Sequence, residues 1–481
     1  MKSFLKVFVQ SVINMLFRQL HRYIFLSFLC VGAFAGAVTL DEAKEMYLQG
    51  DFAGALPVFQ EALASKPKDA SLNHWVGVCL MQEGRDDEAV PHLKIADTKG
   101  IAEAPRYLAE IAFRKYDFEA AENYIAKYEK ALKKSRKTMP EGAQAMIDRI
   151  DLAKTMLDRV ERIVIIDSVT VDKEDFFKAY RMTPESGSIN TAEVLPEGAE
   201  AAYPTVVYMP ETRTSMTWAA PDTLENYVLV SSNQLFDGSW EKPSRLPGAL
   251  SDSGDSNFPF FMSDGVTLYY ANDGDESIGG YDIFISRKGE DGFLQPQNIG
   301  MPYNSPYDDY MLAIDEVTGV GWWATDRNRL GDMITIYKFI PSDLRNNYPV
   351  DEEGLVAKAM ITDYRSTWEE GKDYSDLLEA INEIDPDKKV KVDDFRFALP
   401  GGRIYTSWDD FKSPRAKELM EQYVESDKNF ADKLSKLARL RDNYRNGNTE
   451  ASAAILKLEK QIDADRTTLR KLANEVIKAE N

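Results

Sequence analysis

The feature of the sequence that most constrains the fold is an internal repeat over residues 39–130. A turn at Gly50 is followed by a run of apolar and small residues. The same pattern follows Gly84, thirty-four residues later, and Tyr116, thirty-two residues after that. Seven positions before each turn the sequence has a small residue, namely Ala43, Gly77 and Ala109. Small residues allow two helices to approach closely, so the pattern predicts helix pairs joined by tight turns.

This repeat resembles the tetratricopeptide (TPR) repeat, in which successive helix pairs stack into a curved array. The three units continue with small residues at matching positions, namely Ala55, Ala89 and Ala121. The stretch 144–162 predicts one longer helix that caps the array, because a terminal repeat needs a polar outer face. We therefore expect TPR helical repeats with a capping helix over residues 38–162.

The chain changes character at Ile163, where β-branched residues begin and short strands alternate with turns rich in Gly, Asp and Pro. Another repeat lies here, since Trp218, Tyr270 and Trp323 are each followed by Ala, at spacings of 52 and 53 residues. A recurring unit of about this length is typical of a β-propeller, in which each blade has four strands. Residues 257–284 are the best-formed copy and resemble the PD40, or TolB-like, propeller repeat.

Only three copies of this unit are plain, and a closed propeller uses about four to eight blades. We expect further strands from residues 163–171 and from a hairpin over residues 396–405. Strands from both ends would close the ring and remove exposed strand edges. The predicted β-propeller therefore occupies residues 163–411, with a helical insertion near 366–384.

The last part of the chain, residues 412–481, predicts a helical hairpin or coiled coil. A first helix with regularly spaced leucines ends where Asn446, Gly447 and Asn448 break it. Apolar residues then recur at alternating spacings of three and four up to Val476, interrupted by Asp465. The sequence leaves open whether this seam packs internally or on a partner. The predicted fold class is thus multidomain, α plus all-β: an α-solenoid, a β-propeller and a helical hairpin.

The N-terminal residues 1–37 contain basic residues and no acid, and an apolar run from Tyr23 ends in Ala35-Gly36-Ala37. This pattern predicts a secretory signal peptide, with a retained membrane anchor as the alternative. We expect an exported protein of the periplasm or the outer-membrane-associated cell envelope. One cysteine, Cys79, follows this segment, so the exported chain forms no internal disulfide.

The formal net charge is −21, which repels phosphate backbones and excludes nucleic acid as a partner. The sequence contains none of the catalytic or nucleotide-binding motifs that we sought, and His74 and His92 lie in no metal-binding pattern. We expect no enzyme activity, no cofactor and no metal. Acidic pairs stand in or beside predicted strand turns, at 272–276, 308–309 and 393–394. Their position favours a structural role, in which the side chains form hydrogen bonds with the backbone of tight turns. Calcium binding and acid–base catalysis on a glycoside are the alternatives.

Together, the two repeats resemble envelope proteins that join TPR repeats and a PD40 propeller to an OmpA-like peptidoglycan-binding domain, as in a type IX secretion component. This chain departs from them at its C-terminus, where helices replace the OmpA-like domain. The resemblance implies a non-enzymatic exported scaffold that binds envelope or periplasmic proteins, with glycan or peptidoglycan as a further class of partner. The alternatives are a carbohydrate-binding or glycan-processing propeller and a ligand-sensing propeller. The predicted groove residues on the first helices of the pairs are Met46, Asn73, Gly77, Leu80, Arg106 and Ala109.

Overall fold

The described residues of the chain fall into two compact units, the first ending at Pro386 and the second beginning at Asp387. The predicted signal peptide, residues 1–37, lies outside the described residues. Among the described residues, no helix is long and apolar enough to cross a membrane. The computed structural model describes residues 38–235, 238–250, 253–342, 344–369, 371–384, 395, 397–399, 404–445 and 451–480.

The first unit begins, within its described residues, with seven helices that pack on one another in sequence order. They are α1 (Leu40–Leu48), α2 (Phe52–Ser65), α3 (Ala70–Gln82), α4 (Asp86–Thr98), α5 (Ala104–Arg114), α6 (Phe118–Lys134) and α7 (Glu141–Leu157). Helices α1 to α6 correspond to the three predicted pairs. Helix α7 stands where the capping helix was expected, with both ends a few residues earlier.

Local sequence explains where these helices begin and where they turn. Thr39 caps α1 through reciprocal hydrogen bonds with Glu42, and aspartates cap α2, α3 and α6. Gly50 and Gly84 have φ angles of 83° and 80° after the first helix of their pairs. Tyr116 occupies the equivalent turn with φ 59°, which is uncommon for a residue with a Cβ.

The small residues that define the repeat lie where two helices touch. Ala43 and Ala109 are fully buried, and Gly77 is buried as well. A Cβ added at Gly77 would approach Cγ of Leu93 on α4 to 2.7 Å. These contacts bear out the close packing of helix pairs that the repeat predicted.

Three antiparallel sheets follow the helices in the described part of the first unit. Their strands are β1 (Val164–Asp172), β2 (Ser188–Asn190), β3 (Val207–Met209), β4 (Ser215–Pro221), β5 (Tyr227–Asn233), β6 (Ser244–Arg245), β7 (Ser256–Phe261), β8 (Thr267–Asn272), β9 (Asp282–Arg287), β10 (Gln297–Asn298), β11 (Asp309–Asp315), β12 (Val320–Leu330) and β13 (Met333–Ile340). The strand orders of the three sheets are β2-β3-β4-β5-β6, β10-β9-β8-β7 and β1-β13-β12-β11.

The repeat at 52 and 53 residues corresponds to equivalent strands of these three sheets. Trp218, Tyr270 and Trp323 lie on β4, β8 and β12, and all three side chains are buried. The pairing register shifts after Asn257 in β7 and after Tyr310 in β11, which are also 53 residues apart. Each sheet is therefore one copy of the repeated unit.

A closed propeller is not confirmed, because the described part of the β-region forms three separate sheets, and a closed propeller uses about four to eight. Segment 163–171 does supply a strand, since β1 pairs with β13 at the outer edge of the third sheet. The hairpin expected at 396–405 lies in the second unit and not in the β-region. Its strands β14 (Phe397–Ala398) and β15 (Ile404–Tyr405) pair with each other in the second unit, although the sequence assigned them to the propeller at 163–411.

The sheets pack face to face in sequence order, with β7 against β3 to β5 and β11 against β7 to β9. Aromatic rings fill the space between the second and third sheets, where Phe258 and Tyr310 stack at 4.6 Å and Phe176 meets both edge-on. Phe176 lies on a 3₁₀ turn that precedes the first sheet in the chain. Its ring belongs to a core cluster that contains residues from all three sheets.

Short helical elements follow β13 and cover part of this core. They are α8 (Leu355–Met360), a 3₁₀ turn (Tyr364–Thr367) and α9 (Ser375–Asn382). Helix α9 lies in the insertion expected near 366–384, and the 3₁₀ turn overlaps its start. The indole N–H of Trp368 donates to the carbonyl of Ile165 on β1 at 2.7 Å. This bond anchors the insertion to the outer strand of the third sheet.

The second unit contains two long helices, α10 (Pro414–Arg445) and α11 (Ala451–Glu480). Leu437, Leu458 and Ile462 form a buried cluster between them, so the apolar seam packs within the hairpin. Asp465, which interrupts the apolar pattern, accepts a hydrogen bond from Lys433 at 2.6 Å. The predicted break at 446–448 lies outside the described residues.

Candidate functional site

Four of the six predicted groove residues lie inside the helical array and do not face solvent. Asn73 and Ala109 are fully buried, Leu80 is 1% exposed, and Gly77 packs on the adjacent helix. Asn73 donates to the carbonyls of residues 67 and 69 and contacts Nδ1 of His92 at 2.9 Å. These four residues hold helices together, because the small-residue side of each first helix faces its partner helix.

The other two predicted residues are partly exposed. Met46 packs at the margin of the core formed by α1 to α4, and Arg106 stacks over the ring of Tyr107 at 4.7 Å. Of the predicted set, Met46 and Arg106 are therefore the residues with accessible side chains.

The structure brings together a different set of side chains on the first helix of each pair, α1, α3 and α5. All are half-buried, and most carry an aromatic ring or a positive charge. We call this set the A-helix face, and it consists of Lys44, Tyr47, His74, Trp75, Arg106 and Tyr107.

Contacts across the A-helix face join its members from one helix to the next. The ammonium of Lys44 on α1 lies 5.5 Å from the ring of Trp75 on α3. The ring of His74 on α3 lies 5.6 Å from that of Tyr107 on α5. The face is thus a continuous band of aromatic and cationic groups across three helices.

His74 is the most unusual member of this face. Its Nδ1 is buried and has no hydrogen-bond partner among the described residues. Burial lowers the pKa of His74, since removal from water disfavours the charged imidazolium. Because this nitrogen is enclosed in the folded array, a partner that covers the face does not reach it directly.

Sequence reasoning missed most of this face, although a signal was present. His74 and Arg106 lie three positions before the small residues Gly77 and Ala109, and Trp75 and Tyr107 lie two positions before them. On a helix, positions two residues apart point about 160° away from each other, so Trp75 and Tyr107 are turned away from the small residue that faces the partner helix. His74 and Arg106, three positions before it, are only about 60° away and flank the buried side. The offset of two positions therefore marks the outward face, whereas the small residues themselves mark the buried one.

The helical array and the β-region share one hydrophobic core. Ile278, Met301, Leu355 and Ala359 from the β-region and its following segment pack with the apolar residues of α5, α6 and α7. Arg345 also donates to the carbonyls of residues 159 and 299, at 3.0 Å each. The β-region is therefore docked directly on the last helices of the array.

A cluster of charges at this junction centres on Asp86, the first residue of α4. Arg114 on α5 donates to both oxygens of Asp86, at 3.1 and 2.7 Å, and donates to Glu110 at 2.8 Å. Arg329, near the β12–β13 turn, donates to Asp86 at 3.2 Å. One carboxylate thus connects two helices of the array to a hairpin of the β-region.

Beside this cluster lies a cleft of about 680 Å³ between α5, α7 and loops of the β-region. We call it the junction cleft. Arg106, a member of the A-helix face, also lines this cleft, so the two surfaces are continuous. The charged residues that line the cleft are Arg106, Glu110, Arg114, Arg149, Asp273 and Arg329.

The acidic turns of the β-region are engaged in backbone hydrogen bonds. Asp273 accepts the backbone N–H of Asp255 at 2.6 Å, and Asp326 accepts that of Asp308 at 2.9 Å. Asp255 and Asp308 in turn accept backbone N–H groups near the starts of β5 and β9, at 2.8 and 2.9 Å. These repeated bonds connect each sheet to the preceding one and support the structural interpretation of the acidic pairs.

Asp309 forms a buried ion pair with Arg327 at 2.6 Å, so this carboxylate too has a structural partner. The described residues contain no group of three or more His, Cys, Asp or Glu side chains that could hold a metal ion. The pair at 393–394 lies outside the described residues. The aromatic residues Tyr270, Trp322 and Trp323 are buried in the sheets and serve packing.

Comparison with known proteins identifies one part of the chain. Residues 46–99 match the family model of the tetratricopeptide repeat, and they run from within α1 to just past the end of α4. No curated protein and no solved structure matches the chain. Arrays of this repeat bind protein partners on the surface that their stacked helices present, so the match indicates a role in protein–protein interaction.

Proposed function

We propose that this chain is a non-enzymatic scaffold of the cell envelope, which is exported and binds other envelope or periplasmic proteins through its A-helix face. In this proposal, the three repeated sheets are blades of a PD40-type propeller that supports the array. The scaffold then organises a larger assembly by holding a partner at a fixed place on a rigid body.

The observation that carries this proposal is the half-buried band of aromatic and cationic side chains on α1, α3 and α5. Aromatic rings and arginine are enriched at the centres of protein interfaces, because they bury a large area and still make polar contacts.

Two further observations support a scaffold over an enzyme. The matched repeat is generally found in scaffolds. The acidic side chains Asp273, Asp326 and Asp309 of the described turns bind backbone N–H groups or an arginine, which is a structural role. Export rests on the pattern of residues 1–37, and N-terminal sequencing of the protein from its native cells tests it directly.

Site-specific photo-crosslinking in native cells tests the partner proposal. Tyr107 of the A-helix face is replaced by p-benzoylphenylalanine, which preserves an aromatic ring. Tyr203 in the β-region, which is 72% exposed, is replaced in a matched control. We expect a discrete protein adduct from position 107 and none of that mass from position 203. The same adducts from both positions, or none from position 107, would contradict the proposal.

A cleft between the first and second sheets favours the carbohydrate-binding alternative. It measures about 410 Å³ and combines hydroxyl and amide side chains with aromatic rings, as sugar binding requires. The polar groups include Ser215, Thr217 and Asn233, and the rings include Phe261 and Phe293. Glycan-array binding that is lost in Asn233→Ala would support this second function, and an array without signal would remove it.

A further inference from the structure

We propose that the junction cleft binds a carboxylate-rich segment of a protein partner, and that Arg106 and Arg149 contact its carboxylates. This inference rests on the proposed function, and it names the chemistry of the partner. It concerns the end of the A-helix face, where the β-region forms the opposite wall.

The arginines that line the junction cleft differ in whether they form ion pairs with described residues. Arg114 and Arg329 are paired with Asp86, and Arg114 also with Glu110. Arg106 and Arg149 form no ion pair with any described residue. In a chain with a formal net charge of −21, two unpaired arginines in one cleft create a local site of opposite sign. Such a site attracts an anion that the rest of the surface repels.

The walls of the cleft are held in place. Gly279 and Gly280 lie so close to the segment before β11 that an added Cβ would overlap the carbonyl of Tyr307 or the carboxylate of Asp308. Pro306 stiffens the same wall, and Arg329 is fixed by Asp86 on the helical side. A cleft of about 680 Å³ falls within the range of specific ligand sites and accommodates a few side chains of an extended segment.

The chemistry of the lining favours carboxylates on a peptide over a polyanion. Arginine binds a carboxylate through two parallel N–H···O bonds, so Arg106 and Arg149 each suit one acidic side chain. Glu110 and Asp273 also line the cleft and disfavour densely charged ligands. Phe113 and Met146 provide an apolar part of the wall, which suits the aliphatic portions of acidic side chains in a peptide. Arg106 links the cleft to the A-helix face, which gives a bound segment a continuous path.

A direct binding measurement tests this inference. A fluorescein-labelled hexaglutamate peptide with an amidated C-terminus is titrated with the purified full chain at low salt, and binding is followed by fluorescence anisotropy. Hexaglutamine, inorganic phosphate and a single-stranded DNA of six nucleotides serve as competitors. We expect saturable binding that hexaglutamine and the DNA do not displace, and that phosphate displaces only at a far higher concentration.

Matched variants locate the binding. Arg149→Glu on α7 and Lys130→Glu on α6 change charge equally at exposed positions of neighbouring helices, and only the first lines the cleft. We expect Arg149→Glu to weaken peptide binding at least tenfold, Arg106→Gln to weaken it about fivefold or more, and Lys130→Glu to leave it within twofold. Thermal unfolding of each variant verifies that the fold is retained.

Several outcomes would overturn the inference. They are a hexaglutamate peptide that does not bind, equal effects of Arg149→Glu and Lys130→Glu, phosphate that competes as well as the peptide, and DNA that binds more tightly. The photo-crosslink from position 107 separates this inference from the proposed function. If the adduct persists at full yield in Arg149→Glu, the scaffold function stands and the carboxylate site is wrong. If position 107 yields no adduct in the otherwise unchanged chain, the scaffold function itself fails.

Discussion

The guanidinium of Arg329, near the end of β12, lies 3.2 Å from the carboxylate of Asp86, the first residue of α4. The two residues are 243 positions apart, and their contact connects the β-region to the turn between α3 and α4. Arg329 also donates to the carbonyl of Met81, at the end of α3. The helical array is therefore one wall of a composite surface, since the β-region is docked against it.

Removal of the Asp86 carboxylate is expected to destabilise the first unit. Asp86→Ala leaves the side chain of Arg114, which is 12% exposed, without its main partner, and such a loss costs about 3 kcal/mol. The matched control is Asp87→Ala, one residue further along α4, whose side chain is 92% exposed and pairs with Lys115. That change is expected to leave stability essentially unchanged, because solvent screens so exposed a pair. Urea unfolding followed by tryptophan fluorescence measures both, and equal losses would contradict the central role of Asp86.

Gly279 is expected to tolerate no side chain. A Cβ there would overlap the carbonyl oxygen of Tyr307 and approach that of Ser305 to 2.7 Å, so Gly279→Ala must displace backbone. We expect a loss of about 2 kcal/mol or more in the free energy of unfolding. Gly142→Ala, also at the junction cleft but with open space around the Cβ, should be neutral or stabilising by up to about 1 kcal/mol. A thermal-unfolding comparison in which both variants behave alike would refute this explanation.

Asp326 is expected to make stability depend on pH. Burial, reinforced by the nearby Asp308 carboxylate, raises the pKa of Asp326 to about 6. The folded state therefore binds this proton more tightly than the unfolded state, whose pKa is near 3.8. The stabilisation is fully present below about pH 4 and is lost as the pH rises through about 6.

The variant Asp326→Asn isolates the contribution of the Asp326 carboxyl group to the pH dependence of stability from that of the other titratable groups. The amide oxygen can still accept the backbone N–H of Asp308, whereas the charge is removed. We expect the variant to be more stable at pH 7.5, on the order of 2 kcal/mol, and to differ little from the parent at pH 4. Melting temperatures measured between pH 4 and pH 8 provide the test. A parallel offset at all pH values would show that Asp326 does not titrate in this range.

The ion pair of Lys433 and Asp465 is expected to contribute modestly to the helical hairpin. Their side chains are 33% and 28% exposed, so solvent screens much of the attraction. A double-mutant cycle to alanine should give a coupling free energy of about 0.5–1 kcal/mol. Lys471 and Glu475, a more exposed pair at 3.9 Å on α11, should show none. Hydrogen exchange of α10 and α11 in the full chain reports both values, and equal couplings would contradict the ranking.

Much of the fold was predictable because its signals are local. The spacing of Ala43, Gly77 and Ala109 predicted the helix pairs, since a small residue permits close packing whatever the distant surroundings. The recurrence of Trp218, Tyr270 and Trp323 at spacings of 52 and 53 residues predicted repeated β-units, because such a spacing is visible in the sequence without knowledge of the tertiary structure. The candidate site was predicted less well, because the small residues that reveal the repeat are the ones that the repeat buries. The repeat predicts Asn73, Leu80 and Ala109 in the groove, whereas the structure places them within the array.

The sequence by itself determined the elements of this protein: helix pairs, repeated antiparallel strands and a closing helical hairpin. Each follows from periodicity, capping and turn residues that act over a few positions of the chain. Only the tertiary structure decided that β1 pairs with β13, that the 396–405 hairpin belongs to the second unit, and that Arg329 reaches Asp86. Such relationships depend on which surfaces meet after the chain has folded back over long separations. No local pattern encodes them, because the free energy that selects them comes from the burial and pairing of distant groups.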